Sequence, residues 1–344
     1  MRILCIGPLW RGSNAGGLFK ALSRKGCMIE VVDEFYFVSL NTKNKVTKVL
    51  ERIIRPRQVE EFNNNIKNKI KLFKPDVILV YKGTFVMAET LIYAKEHNCK
   101  LALFFPDVST TAHGPYIPAC IPYYEQIFTT KTFGIKDMGE KYGVKNMQFI
   151  PHGYDPEIHR IIPITDKELS FFGNDASFIG TWSPKKEKWL SYIKENIPGI
   201  DLKIWGGQWS KSTSAILKDS IQGTEILGDL YAMAIQCSKI NLGILSEQRI
   251  GSSSGDLITS RTFHIPGAGG FMLHERNEES LNCFVENEEA AFFDGPEEMV
   301  AQIKRFLPDA ETRDAIRMAG HRRALAEHSL DARAQTVMNY LNKM

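Results

Sequence analysis

The stretch VILVYKGTFVMAETLIYAKEHNCKLALFF at residues 77–105 contains two apolar runs, at 77–81 and 101–105, with a segment of helical character between them. Apolar runs of this length, without alternation, are typical of strands that are buried on both faces of a parallel sheet. A strand, a helix and a second strand in this order predict a β-α-β unit.

The same order continues on both sides of this stretch. Apolar runs at 2–7 and 28–32 enclose a glycine-containing loop and a helix from Leu18 to Gly26, and further strands are predicted at 126–129 and 148–150. The proline-containing stretch 151–163 interrupts the rhythm, and the alternation restarts at 177–180. We therefore predict an α/β protein with two doubly wound domains, 1–155 and 156–330. A C-terminal helix at 331–344 is expected to cross back to the first domain.

The composition excludes several classes of protein. A hydrophobic fraction of 43% and a charged fraction of 24% are those of a folded chain, not of a disordered or fibrous one. With 43 Lys and Arg against 40 Asp and Glu, the net charge of +3 gives no argument for nucleic-acid binding. No run approaches the ~20 apolar residues that span a bilayer, and the opening residues do not form a signal peptide. Six cysteines without a CxxC pair predict reduced thiols, no zinc site and a cytoplasmic protein.

A loop of small residues at 249–256 leads into a helix predicted from Leu257. Free backbone N–H groups and the helix dipole attract phosphate at such a position, and Arg249 and Arg261 flank it. An ordinary helix with Asp256 as its N-cap explains the same residues without a ligand. The local sequence leaves both interpretations open.

The segment RTFHIPGAGGFML at 261–273 resembles the donor-binding segment of GT-B glycosyltransferases, above all the CgeB-like, spore-maturation group. The stretches FIG at 178–180, WGGQW at 205–209 and IPHGYDP at 150–156, and the closing helices from Glu297, agree with that group. The resemblance implies two Rossmann-like domains that face each other across a cleft. It also implies sugar transfer from a nucleotide-diphosphate-sugar donor to an acceptor hydroxyl, with the nucleotide held by the second domain.

The family carries a Glu-x7-Glu pattern, in which the first Glu contacts the donor sugar and the second the ribose. The resemblance places Asp256 and His264 at these positions, with the same spacing but with other side chains. The chain contains no Asp-x-Asp motif, so we expect neither a metal nor another cofactor, and basic side chains would compensate the pyrophosphate. A packed helix histidine and a solvated helix start are the plain alternatives for His264 and Lys186. The implied donor-binding residues are Lys186, Arg249, Arg261, His264, Gly267, Gly269 and Gly270.

Candidate residues of the first domain follow its strands. Asp107 and His113 come after the strand at 101–105, and either suits the general base of an inverting transferase; a retaining transferase needs none, and loop capping is the alternative. The remaining predicted acceptor or phosphate residues are Gly12, Ser13, Gly16, Gly17 and Lys82. The histidines at 97, 159, 274, 321 and 328 lack metal-ligand grouping and are expected at the surface.

Residues 42–57 combine six basic side chains with an apolar stripe at helical spacing. This pattern is typical of a helix that lies on a membrane surface, and also of a helix that packs its stripe on its own domain. The first alternative predicts peripheral contact with the inner face of the membrane. The acceptor would then be a glycan, a lipid-linked sugar or a protein.

Two other functions stay open on the sequence alone. A sugar-nucleotide epimerase shares the fold and needs no acceptor. A catalytically silent nucleotide-sugar-binding protein is the alternative outside enzymes, because Asp256 and His264 both depart from the family pattern.

Overall fold

The strands predicted at 77–81 and 101–105 are neighbours in one parallel sheet. In the computed structural model, which describes residues 1–38 and 45–344 and only the backbone of 45–50, Val77 lies opposite Lys100 and Tyr81 opposite Phe104. Both strands are almost completely buried, because helices cover the two faces of the sheet. The prediction that these two apolar runs are strands buried on both faces of a parallel sheet is therefore confirmed.

The first of two compact units comprises residues 1–151, 248–254 and 331–344. Its six strands are ordered β2-β1-β3-β4-β5-β6, and their pairs are parallel. Its elements are β1 (Arg2–Gly7), α1 (Asn14–Arg24), β2 (Met28–Asp33), α2 (Glu34–Phe37), α3 (Lys45–Phe73), β3 (Val77–Tyr81), α4 (Ala88–Glu96), β4 (Lys100–Phe105), α5 (Tyr116–Cys120), β5 (Gln126–Thr129), α6 (Thr132–Tyr142) and β6 (Met147–Phe149).

The first helix begins earlier than the sequence predicted. Ser13 is its N-cap and accepts a hydrogen bond from the Gly16 N–H at 3.0 Å, so α1 starts at Asn14 and not at Leu18. Gly16 and Gly17 therefore lie in the first turn of the helix and not in the loop before it. Gly12, with a φ of +86°, remains in that loop.

The second unit comprises residues 152–247 and 255–330. Its five strands are ordered β11-β10-β9-β7-β8 and also pair in parallel. Its elements are α7 (Asp166–Phe172), β7 (Asn174–Ile179), α8 (Pro184–Asn196), β8 (Leu202–Trp205), α9 (Asp229–Cys237), β9 (Ser238–Gly243), α10 (Ser260–Gly267), β10 (Met272–Glu275), α11 (Glu278–Cys283), β11 (Ala291–Phe293), α12 (Gly295–Phe306) and α13 (Ala310–Glu327).

The helix predicted from Leu257 begins instead at Ser260. Its N-cap is Thr259, whose backbone N–H donates to the Thr262 hydroxyl at 3.0 Å, so Asp256 is not the cap. The capping explanation for Asp256 is therefore wrong. A different role has to account for this carboxylate.

Two late segments of the chain belong to the first unit. The helix α14 (Leu330–Leu341) is held there by the Arg24–Asp331 ion pair at 2.8 Å and by the Tyr340 hydroxyl, which donates to Gln148 at 2.6 Å. In the loop 248–254, the Ile250 carbonyl accepts from the Ser109 hydroxyl at 2.6 Å. Through these contacts, segments that lie far along the chain pack against the first unit and belong to it.

The basic stretch 42–57 lies only partly within the described residues. From Lys45 it belongs to α3, in which Ile53 is 70% exposed and Ile54 is 48% exposed, whereas Val59, Phe62, Ile66 and Ile70 are buried in the core. No helix in the described residues is long and apolar enough to cross a membrane. Contact with a membrane surface stays a prediction.

Candidate functional site

Arg261 lies at the carboxyl edge of the second sheet, where β7 and β9 run side by side. Its guanidinium donates to the Ile244 carbonyl at 2.7 Å and to the Ile179 carbonyl at 3.5 Å, and it sits 5.0 Å from the centre of the Phe178 ring. The buried Nε has no hydrogen-bond partner within the described residues. Because a guanidinium has five N–H donors, these two bonds leave donors for a ligand.

Lys186 and Asp256 meet near the same strand end. The Lys186 ammonium donates to the Ser246 hydroxyl at 2.9 Å and to the Thr181 carbonyl at 3.2 Å. The Asp256 N–H donates to the Ser246 carbonyl at 3.0 Å, and its carboxylate is close enough to Arg261 to raise the pKa of that guanidinium, against the larger lowering by burial. The segment after β9 thus gathers three predicted donor residues.

Two other basic residues considered for the donor site, Lys185 and Arg249, have surroundings of their own. The Lys185 ammonium is paired with both Glu275 oxygens, at 2.6 and 2.8 Å, which distinguishes it from its neighbour Lys186. Arg249 is exposed and belongs to the first unit. The sequence predicted that Arg249 and Arg261 flank the loop of small residues, and within the first unit this loop docks on Ser109 and Asp137. The donor role of Arg249 stays a prediction.

His264 is buried on α10 with only 7% of its surface exposed. Its ring stacks on that of His159, with centroids 3.7 Å apart and planes 19° from parallel. Burial, and then the neighbouring His159 and His152, hold the pKa of His264 well below its usual range, so the ring is neutral. Its Nε2 is buried and has no partner in the described residues.

The surface location expected for the other histidines is wrong for four of the five. Exposed fractions are 2% for His159, 0% for His274, 8% for His321 and 7% for His328; only His97 is exposed. Histidine is intermediate among the residue types in how often it is buried. The absence of a metal-ligand pattern around a histidine does not indicate whether its side chain is buried or exposed. The sequence reasoning therefore missed His159 altogether.

The glycines at 267, 269 and 270 are all buried. A Cβ at Gly267 would lie 2.6 Å from the Tyr154 ring, one at Gly269 3.0 Å from Ile161, and one at Gly270 2.4 Å from Ile235. At these three glycines the backbone packs closely against side chains of the same unit. The structure gives no opening at them for a donor backbone contact.

The first unit brings Asp107, His113 and Lys82 together after β3 and β4. Asp107 Oδ2 lies 2.9 Å from the Lys82 ammonium and 3.0 Å from His113 Nε2. Partial burial raises the pKa of Asp107, but the contact with His113 and the charge of Lys82 outweigh it and hold that pKa well below its usual range. Lys82 has a φ of +68°, which is uncommon for a residue with a Cβ and typical of functional sites.

Glu34, which sequence reasoning did not select, is the first residue of α2, directly after β2, and is buried with 1% of its surface exposed. It hydrogen-bonds to Thr84, but its Oε2 has no partner in the described residues. Burial raises the pKa of Glu34 to about 7, and the bonds to Thr84 and the charge of Lys82 only partly oppose this. The available signal was its position directly after a predicted strand.

Replacing Glu34→Gln is expected to stabilise the protein by roughly 2–3 kcal/mol at about pH 8 and to change little at about pH 4. The pKa of Glu34 in the folded protein, about 7, is higher than that of a glutamate in the unfolded chain. The free energy of unfolding of the wild type therefore falls as the pH rises from the unfolded-chain pKa to the folded-state pKa. Urea unfolding at both pH values measures the difference. Glu30→Gln, on the preceding strand β2 and paired with Lys69, is the matched control; equal pH dependence in wild type and Glu34→Gln would contradict the assignment.

Comparison with known proteins relates a large part of the second unit to one family and the whole chain to one fold. Residues 185–339 match the model of a glycosyl transferase-like family. The whole chain is similar in fold to sucrose-phosphate synthase from Thermosynechococcus elongatus, with 12% identity, 100% of this chain and 98% of that chain covered, and a TM-score of 0.69. The chain has the GT-B fold, which confirms the predicted fold. The predicted enzyme class, a glycosyltransferase, agrees with the family match of residues 185–339.

Two further solved structures show the same likeness. HepE of Anabaena, in complex with UDP-glucose, has 9% identity, full coverage of both chains and a TM-score of 0.68. A glycosyltransferase from Rickettsia africae has 13% identity, coverage of 99% and 98%, and a TM-score of 0.67. No curated protein matches the chain. The CgeB-like group within the glycosyltransferases stays a prediction that rests on the motifs.

Proposed function

We propose that this glycosyltransferase binds the diphosphate of its nucleotide-sugar donor through Arg261 and Lys186, without a bound metal. The observation that carries the proposal is the environment of Arg261. Its guanidinium bonds to two main-chain carbonyls, and its Nε is buried without a partner in the described residues. A buried polar atom of this kind needs a partner, and a diphosphate offers one with matching charge.

Asp256 and His264 complete the proposed donor site. Asp256 is close to Arg261 and would accept hydrogen bonds from the sugar hydroxyls. His264 Nε2 would accept one from a ribose hydroxyl, as the family's glutamate does. The neutral state of His264 supports this role, because an imidazolium has no acceptor.

In the acceptor domain we infer that His113 is the base and Asp107 its orienting partner. Asp107 lies between two cationic or donor groups, so it is a weak base, whereas a proton on His113 Nε2, which is 3.0 Å from Asp107 Oδ2, leaves the lone pair of a neutral His113 on Nδ1. This is the pairing that activates histidine for proton abstraction from a hydroxyl.

A panel of UDP, GDP, dTDP and CMP, with NAD as control, tests the donor site by thermal unfolding. One nucleoside diphosphate at about 100 times its Kd should stabilise the protein by ~2.7 kcal/mol, a rise of several degrees in Tm. The same rise is expected in EDTA, because side chains supply the charge. A shift that EDTA abolishes would contradict the metal-free site, and no shift with any nucleotide would overturn the donor assignment. Epimerisation of the sugar nucleotide without acceptor would instead favour the epimerase.

A further inference from the structure

The rings of His159 and His264 form a buried stack in the second unit. Their centroids are 3.7 Å apart, and Tyr231 stands nearly perpendicular to both, at 5.5 Å from His159 and 5.7 Å from His264. His159 is 2% exposed. A flat neighbour on one face and an aromatic edge beside it restrict rotation of the His264 ring.

A backbone hydrogen bond fixes the tautomer of His159. The Asp155 N–H donates to His159 Nδ1 at 3.0 Å, so the neutral ring carries its proton on Nε2. Burial lowers the pKa of His159 to about 3, so the ring is neutral near pH 7.

His264 makes its own backbone hydrogen bond, to Gly153. Since Nε2 has no partner in the described residues, Nδ1 is the atom that makes this bond. Nε2 is then a buried polar atom that a hydroxyl group, which can both donate and accept, would satisfy.

We infer that His159 is a positioning residue of the donor site: its ring holds His264 flat and neutral, with Nε2 presented to a ribose hydroxyl of the nucleotide. The inference rests on the proposed function, since it assumes that a nucleotide binds at His264. His159 itself would not touch the ligand. Its effect would appear as selectivity for the hydroxyl and not as general affinity.

Calorimetric titration with UDP, 2′-deoxy-UDP and 3′-deoxy-UDP, and with the corresponding guanosine set, tests this selectivity. We expect the wild type to bind one ribonucleotide about tenfold more tightly than one of its deoxy forms, the effect of one hydrogen bond. His159→Ala should reduce this ratio to within about twofold, whereas His159→Phe, which keeps a flat ring, should preserve most of it. His97→Ala, on the exposed surface, is the matched control and should leave the ratio unchanged.

A double-mutant cycle separates positioning from stability. His264→Ala should abolish the preference for the ribonucleotide over its deoxy form. The double variant His159→Ala/His264→Ala should show the same preference as His264→Ala alone. If His159→Ala weakens the ribonucleotide and its deoxy form by the same factor, or leaves the ratio intact, the inference is overturned. A wild type that binds none of UDP, GDP, dTDP and CMP would instead refute the proposed function itself.

Discussion

Replacing Arg261→Met is expected to weaken binding of the donor nucleotide about 100-fold, because a charged hydrogen bond is worth ~1.5–3 kcal/mol and a guanidinium fork makes two. Methionine keeps the length of the stem beside Phe178 but removes the charge and all five donors. The carbonyls of Ile179 and Ile244 also lose their donor, so a modest loss of stability accompanies the loss of affinity. Titration with UDP and with GDP measures the affinity.

The exposed Arg322, on α13 of the same unit, provides the matched control for Arg261. Arg322→Met removes the same charge from the domain and should leave the affinity unchanged, since a surface charge outside the site is screened by salt. Lys186→Met should give a smaller loss than Arg261→Met, because an ammonium acts as a point charge and not as a fork. Binding by folded Arg261→Met with wild-type affinity would refute the phosphate role.

The fold could be predicted from the sequence because each strand is a short apolar run, and such a run can be recognised from the local sequence without knowledge of its tertiary contacts. The strands β3 and β4 begin and end within one residue of the predicted limits. Helix starts were less predictable. They depend on which hydroxyl caps the backbone, Ser13 for α1 and Thr259 for α10, and the small residues around them offered several alternatives.

The candidate site could be predicted only where a motif or a strand end marked it. Lys186, Arg261 and Asp256 follow strands of one sheet, and the structure brings them to the segment after β9. His159 could not be found in this way, and the strand-end position of Glu34 did not reveal its burial. The significance of each comes from a partner or an environment that only the folded chain supplies, namely the ring of His264 and the burial that leaves Oε2 unpaired.

Asp107 and His113, which the sequence offered as alternative bases, form one pair in the structure, and this changes what each variant should do. The Asp107 pKa is held well below its usual range by His113 and Lys82, so this carboxylate remains ionised and cannot take the acceptor proton efficiently. An ionised partner at 3.0 Å from Nε2 orients the His113 ring and stabilises the imidazolium that forms during the reaction.

His113→Gln is therefore expected to lower kcat for sugar transfer by a factor of about 10²–10⁴, the usual contribution of a general base, with unchanged affinity for the nucleotide. Asp107→Asn should lower kcat as well, because the amide no longer favours the productive tautomer, while the base itself remains. Nucleotide release during transfer, together with titration of each variant, measures the two effects separately, and His97→Gln controls for loss of a histidine. Unchanged turnover in His113→Gln would show that the acceptor hydroxyl needs no side-chain base, which is the chemistry of a retaining transferase.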